Sequence, residues 1–380
     1  MTSDPVQVVV VHDFAALASR AGQWNRLAER ACTNTVFQTY QCHASWWSAF
    51  GHDRRLLVLL AETGGELVGV APLMRSEQRV LGCAQRVVEF IGARSFDYCD
   101  FIVDRERPEV LALLVRTLGQ GEAAFDQLYL RDIPDTSPTI GELRSLFGNR
   151  GLATDVRVLY EAPTRLFNDP ESDRQLLNKK SLKRHYNHFK NSGELEFRNC
   201  ASADEALGYL DGFFEQHVRR RTVTDTPSVF EDERMRSFFR ELVRTLAPRG
   251  WLLFSVVLFN GKAIAMHFGF EYGNRIIWYK PAFDLDYARH SPGEVLIRYL
   301  LEYALERKVS ELDFTIGAEA FKYRFANHTR SNYAVRVFRS RFQYHLTRLL
   351  LEARSLVERF PRLERLARKV MGRWRGRPWI

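Results

Sequence analysis

Residues 311 to 323 read Glu-Leu-Asp-Phe-Thr-Ile-Gly-Ala-Glu-Ala-Phe-Lys-Tyr and place Asp313, Glu319, Lys322 and Tyr323 close together. His267 adds an imidazole inside an otherwise apolar run. These groups can take up and return protons, but none has metal or catalytic-triad spacing. The chain has no H-E-x-x-H, G-x-S-x-G or P-loop motif, and none of its ten histidines has Asp four or five residues later. Metal, serine-hydrolase and nucleotide-hydrolysis chemistry therefore lack their residues. Just upstream, Ser291-Pro292-Gly293-Glu294 has the order of a capping box, with Ser at N-cap, Pro at N1 and Glu at N3. The plainer reading is a well-capped buried helix. The functional one is an exposed helix N-terminus whose N–H groups accept a pyrophosphate, with Gly293 allowing close approach and Arg289 offsetting Glu294.

The elements that would hold these residues are legible as hairpins and helices. Residues 56 to 73 read as two strands joined at Gly64-Gly65, and 251 to 270 as two more joined at Asn260-Gly261, a strong hairpin signal. A third strand is expected at 275–281, and at 98–103 in the first half. Helices open at Pro108-Glu109-Val110-Leu111 and at Pro292-Gly293-Glu294-Val295-Leu296, and each leads into a strand, at 125–130 and 311–316. In the second of these strands Leu312, Phe314 and Ile316 share one face, leaving Glu311, Asp313 and Thr315 on the other. Helical spacing also marks 201–218 and 234–246. The plan of meander, helix and strand thus occurs twice, which predicts two tandem α/β domains: 1–166, then 167–340 after the polar stretch Phe167 to Asp173. Residues 341–380 read as a basic amphipathic tail of helices broken at Pro361.

With 380 residues, the chain can build two or three cores. Its net charge of +9 calls for a polyanionic partner: nucleic acid, an anionic membrane or a phosphorylated ligand. Basic residues cluster from Lys179 to Lys190, including Lys183 and Arg184, at Arg219-Arg220-Arg221, and after Arg341. Each run also reads as a solvated helix face. Five cysteines without a C-x-x-C pair argue against a disulfide framework or zinc site and for a reducing compartment. No stretch approaches the ~20 apolar residues of a membrane span, so a cytoplasmic protein is expected.

Tandem meander–helix–strand units, S-P-G at the helix start and D-F-x-x-G-x-E-x-x-K-Y beyond it resemble the GNAT acyl-CoA N-acyltransferase superfamily. More narrowly, they resemble its tandem-domain branch, the CelD-like proteins of exopolysaccharide and cellulose clusters, related in fold to Fem-type transferases. The likeness is sharpest from Trp251 to Phe325. It implies two GNAT-like domains, each a mixed, mostly antiparallel sheet flanked by helices. Against the superfamily's phosphate loop, Arg289 matches the first position, Pro292 replaces the first glycine, Glu294 replaces the last small residue, and Gly293 sits one place off. The first half has no glycine there, so it is expected to be a non-catalytic partner.

The resemblance implies that an amine attacks a thioester, with Asp313, Glu319 or His267 as base and Tyr323 protonating the thiolate. Asp313 or Glu319 paired with Lys322, and His267 as a core residue, are the structural alternatives. Acyl-CoA would be the co-substrate, held by Arg289, Ser291, Gly293 and Lys322, without a metal. Tyr279, Lys183 and Arg184 would contact the acceptor, with Asp284, Tyr287 and His290 flanking the groove. The acceptor is expected to be an amino sugar or other small or lipid-linked amine of an envelope or exopolysaccharide precursor. The tail could rest on the anionic inner membrane face. Two other readings stay open: a Fem-type transferase using charged tRNA, and an assembly protein that kept the fold without the chemistry.

Overall fold

The computed structural model describes residues 5–80, 83–222 and 227–359. Its first half runs β1 (Gln7–Val11), α1 (Ala21–Arg30), α2 (Tyr40–Phe50), β2 (Arg55–Thr63), β3 (Glu66–Val80), β4 (Cys83–Phe90), β5 (Ile102–Val103), α3 (Pro108–Thr117), β6 (Gln127–Pro134), α4 (Thr139–Asn149) and β7 (Ala153–Leu166). The second half runs α5 (Pro170–Gln175), α6 (Lys180–Ser192), β8 (Leu195–Asn199), α7 (Ala203–Arg221), α8 (Glu233–Leu246), β9 (Leu252–Phe259), β10 (Lys262–Tyr272) and β11 (Arg275–Phe283). It continues with α9 (Pro292–Arg307), β12 (Glu311–Asp313), α10 (Ala320–Tyr323), β13 (His328–Phe338) and α11 (Arg341–Arg359).

Local chemistry explains several of these boundaries. The β9–β10 turn uses left-handed Asn260 (φ 48°) and Gly261 (φ 76°), a conformation open to these two residue types at little steric cost. The Ser202 side chain caps α7 by accepting from the Glu205 N–H, and Asp232 caps α8 by accepting from Arg234. The expected third strand at 98–103 is corrected: β4, at 83–90, takes that place, and only Ile102–Val103 pairs, along β3. Buried Asp100 accepts from the Thr33 and Thr139 hydroxyls, side-chain bonding that competes with ladder pairing.

Pairing joins the two halves into one mixed, mostly antiparallel sheet flanked by helices, in the order β1-β2-β3-β4-β6-β13-β7-β12-β11-β10-β9-β8. The last strand, β13, inserts between β6 and β7 of the first half, and β7 pairs with β12 of the second. Two pairs are parallel, β4 with β6 and β11 with β12, each bridged by a helix, α3 or α9. One large core runs through both halves, and in the second it lies under α7 and α8. A smaller core fills the opposite face beneath α6 and α9. The face a β11 or β12 side chain occupies thus decides which residues it can meet.

Candidate functional site

The parallel pairing of β11 with β12 lasts only from Arg275–Glu311 to Ile277–Asp313. Beyond it, among the described residues, β11 pairs only with β10, and it carries a bulge: Phe268 faces Lys280 while Phe270 faces Ile277. The β12 chain turns away through Thr315, which has φ 54° and whose hydroxyl donates to the Trp278 carbonyl at 2.9 Å. The two strands therefore splay into a wedge, and a bulge beside such a point takes a residue out of the ladder.

The start of α9 stands at the mouth of this wedge. A Cβ built on Gly293 would lie 3.8 Å from the Phe283 ring, an ordinary contact with room to spare. The capping box is corrected. Ser291 is left-handed (φ 49°) and makes no side-chain cap bond. Glu294 is instead drawn to Arg324 at 2.7 Å, and Arg324 also bonds Ser181 of α6. Burial works to raise the Glu294 pKa, but Arg324 and Ser181 outweigh it and the net shift is downward. The carboxylate is thus held aside, away from the helix N–H groups.

Positive charge surrounds the opening. Arg220 donates to the Pro281 carbonyl at 3.3 Å and its guanidinium stacks 4.7 Å from the Phe283 ring centre. Lys280 lies 3.9 Å from Asp97 of the first half, and its pKa is lowered, by burial above all. Lys280 also feels the charges of Lys322, Arg221 and Glu319. Beside α9, His188 of α6 stacks on His290 at 3.6 Å, and Lys183 and Arg184 lie exposed on α6. Arg289 is exposed one turn before α9.

The structure does not assemble the four expected catalytic groups. Asp313 and His267 lie on opposite faces of the sheet, in the large-core and small-core layers respectively. Asp313 is 4% exposed and accepts from Tyr98 of the first half at 2.8 and 3.0 Å and from the Thr315 N–H at 2.7 Å. His267 is fully buried, stacked 4.7 Å from Trp278, with both ring nitrogens unpartnered. Tyr323 bonds the Glu161 carboxylate. Tyr279 is buried against Phe239 with its hydroxyl on the Ser95 carbonyl, so it is corrected from acceptor contact to a pin between halves. Lys322 is also buried; its ammonium donates to the Ile316 carbonyl at 2.7 Å and pairs with Glu319 at 3.0 Å, holding the β12 lip rather than a phosphate. Glu319 is exposed at that lip.

Asp97, Tyr98, Lys280 and Arg220 were not singled out as site residues from sequence. Asp97 and Tyr98 lie in an irregular first-half segment, and no local pattern announces that they meet β11 and β12. The Tyr98–Asp313 contact carries a prediction. Burial, the largest cause, and Glu311 raise the Asp313 pKa to about 6, against the pull of Arg330, Thr315 and Tyr98. Its raised pKa contributes stability fully present below the unfolded value, near 3.9, and lost as pH rises through about 6. Tyr98→Phe removes a donor to the charged form, so the pKa rises further. The variant is expected to lose about 1.5–3 kcal/mol in urea unfolding near pH 8 and clearly less near pH 5. An equal loss at both pH values would contradict this.

Residues 178–323 match a family described as Acetyltransferase (GNAT) domain. No curated protein matches the chain. Solved structures similar to it include FemX, at 10% identity and TM-score 0.60, covering 90% of this chain and 99% of that one. A conserved protein of unknown function from Bacteroides thetaiotaomicron matches at 13% identity and TM-score 0.54, over 88% and 100% of the two chains. L-PGS from Bacillus licheniformis matches at 12% and TM-score 0.51, over 87% and 94%. At such identities the likeness is one of fold. The sheet, the wedge and the family match together define an acyltransferase-like protein of GNAT fold.

Proposed function

We propose that the chain is an acyl-CoA-dependent N-acyltransferase whose donor lies along the free edge of β11, with its phosphates at the start of α9. The carrying observation is that this helix start is uncapped by Ser291 while Arg324 holds Glu294 aside. Pro292 has no N–H and the Glu294 N–H donates to the Ser291 carbonyl at 2.9 Å, so it is the Gly293 N–H, with the positive end of the helix dipole and the cationic residues around it, that favours a phosphate. In the transfer, the acceptor nitrogen attacks the thioester carbon, a C–N bond forms, the C–S bond breaks and a thiolate leaves. The β11 bulge offers a backbone N–H to the carbonyl oxygen. Glu319 at the lip takes the ammonium proton before attack. Lys280, whose burial favours proton release, gives its proton to the departing thiolate and is reprotonated by the second proton that the nitrogen loses as the amide forms. The acceptor in this reading is an amino sugar or other amine of an envelope or exopolysaccharide precursor.

A second reading, an aminoacyl group delivered by charged tRNA, draws support from α6, which exposes Lys180, Lys183, Arg184 and Lys190 beside α9. Calorimetric titration with acetyl-CoA, longer acyl-CoAs and desulfo-CoA separates the two. Saturable binding is expected, weakened roughly 100-fold or more by Gly293→Asp, which sets a carboxylate where the phosphates would sit. That variant should fold normally, because its Cβ has room and an acidic first turn suits the helix dipole. If no CoA binds but charged tRNA does, with steep salt dependence, the second reading replaces the first.

A further inference from the structure

Helix α11 has one side on the protein and another without a partner among the described residues. Thr347 is buried and Tyr344 packs 5.7 Å from Phe338, which fixes the inward side. At 100° per residue, Phe342 and Leu349 form a stripe pointing away from it, with half-buried Leu346 at its edge. Phe342 is 74% exposed and Leu349 64%, the two most exposed large apolar side chains among the described residues. Arg341, His345 and Arg348 flank the stripe and are exposed. Beside the start of this helix opens a cavity of about 180 Å³, floored by Phe125, Phe147 and Leu152 and edged by Arg150 and Arg339.

We propose that this end of the molecule, the outer stripe of α11 with the arginine-edged cavity beside it, docks on an anionic phospholipid bilayer. Charge decides among the occupants such a stripe could take. From Arg339 to Ile380 the sequence carries twelve Arg or Lys against three Glu. A second copy, or the chain's own residues 360–380, would bring like charge onto a basic rim. An anionic bilayer brings the opposite charge and an apolar layer for Phe342 and Leu349. The cavity matches the same surface: guanidinium groups at the edge meet a lipid phosphate, and the aromatic floor meets the start of an acyl chain. No helix among the described residues is long and apolar enough to cross a membrane, so the contact is one of lying on the surface. It does not depend on the catalytic reading.

The test is co-sedimentation of the full chain with vesicles of phosphatidylcholine, with and without phosphatidylglycerol, for the natural sequence and for Phe342→Ser/Leu349→Ser. Binding is expected only to the phosphatidylglycerol vesicles. It should fall as salt rises and weaken roughly tenfold or more in the double variant, because two large apolar side chains no longer leave water. Without vesicles, the variant should melt within about 1 °C of the natural chain, since bare surface positions contribute little to stability. Equal binding by the variant, or none to anionic vesicles, overturns the proposal. So does a marked fall in melting temperature, which would mean the chain covers its own stripe, or a dimer that the variant turns into a monomer.

Discussion

Arg330→Ala is expected to cost about 3–5 kcal/mol of folding stability at pH 8. Arg330 lies on β13 and grips Glu311 of β12 through two parallel bonds, at 2.6 and 2.7 Å, with Asp313 3.8 Å away. Both carboxylates are buried, at 7% and 6% side-chain exposure, so removing the guanidinium leaves two like charges out of water beside each other. The pair is also where the halves are stitched, because β7 of the first half runs between β13 and β12. Asp313, already raised to about 6, would rise further without Arg330, whose charge pulls it down. Its protonation then relieves the repulsion, so the deficit should shrink as pH falls from about 8 to about 5. Arg330→Lys keeps the charge but not the two-pronged geometry and should lose about 1–2 kcal/mol. Urea unfolding at the two pH values reads all of this. A loss under about 1 kcal/mol for the alanine variant at pH 8 would show that the pair does not hold the junction.

His267 supports the second large effect. Burial alone lowers its pKa to about 3, from an ordinary value near 6.5. A group with a depressed folded pKa contributes stability that is complete above its unfolded pKa and is lost as pH falls through the folded one. Acid should therefore withdraw on the order of 4 kcal/mol between about pH 6.5 and about pH 3 through this residue. His217, also lowered to about 3, and His43, lowered to about 4, add to the same acid lability. Asp313 and Asp132, both raised to about 6, work against it. His267→Leu is expected to flatten the stability profile below pH 6.5 by about that amount while leaving the other histidines' share. Near pH 8 it should be neutral or stabilising by about 1 kcal/mol, because two unpartnered ring nitrogens disappear from the core. In the acyl transfer proposed above, the leucine variant should stay within a few-fold of the natural chain. A hundredfold loss with an intact fold would make the imidazole catalytic after all.

Much of the fold was legible because its signals are local. Asn260-Gly261 and Gly64-Gly65 sit at their hairpin turns, and both lie at positive φ. Pro108 and Pro292 open their helices because the ring pre-sets φ and the missing N–H is not needed there. The alternation along 311–316 separated Asp313 from Leu312 and Phe314, and the two cores keep that separation. Repetition of meander, helix and strand identified the α/β class without any contact being known.

Tertiary structure decided what those elements do to one another. Nothing in the run 328–338 shows that it will pair with β6 and β7 of the other half, since strand partners are chosen by burial and register far along the chain. The same pairing brings Tyr98 onto Asp313 and Asp97 beside Lys280, which turned one expected base into a pin and placed first-half residues at the wedge. Ser291 and Glu294 had the residue types of a capping box, but Arg324, thirty residues on, offered Glu294 a charged partner and took it from the helix start. Residue type and spacing therefore set the candidate groups and the elements that carry them. Which groups face water, which face each other and which are spent on holding the sheet together depended on long-range packing, because burial and charge pairing act through space and leave no local pattern in the sequence.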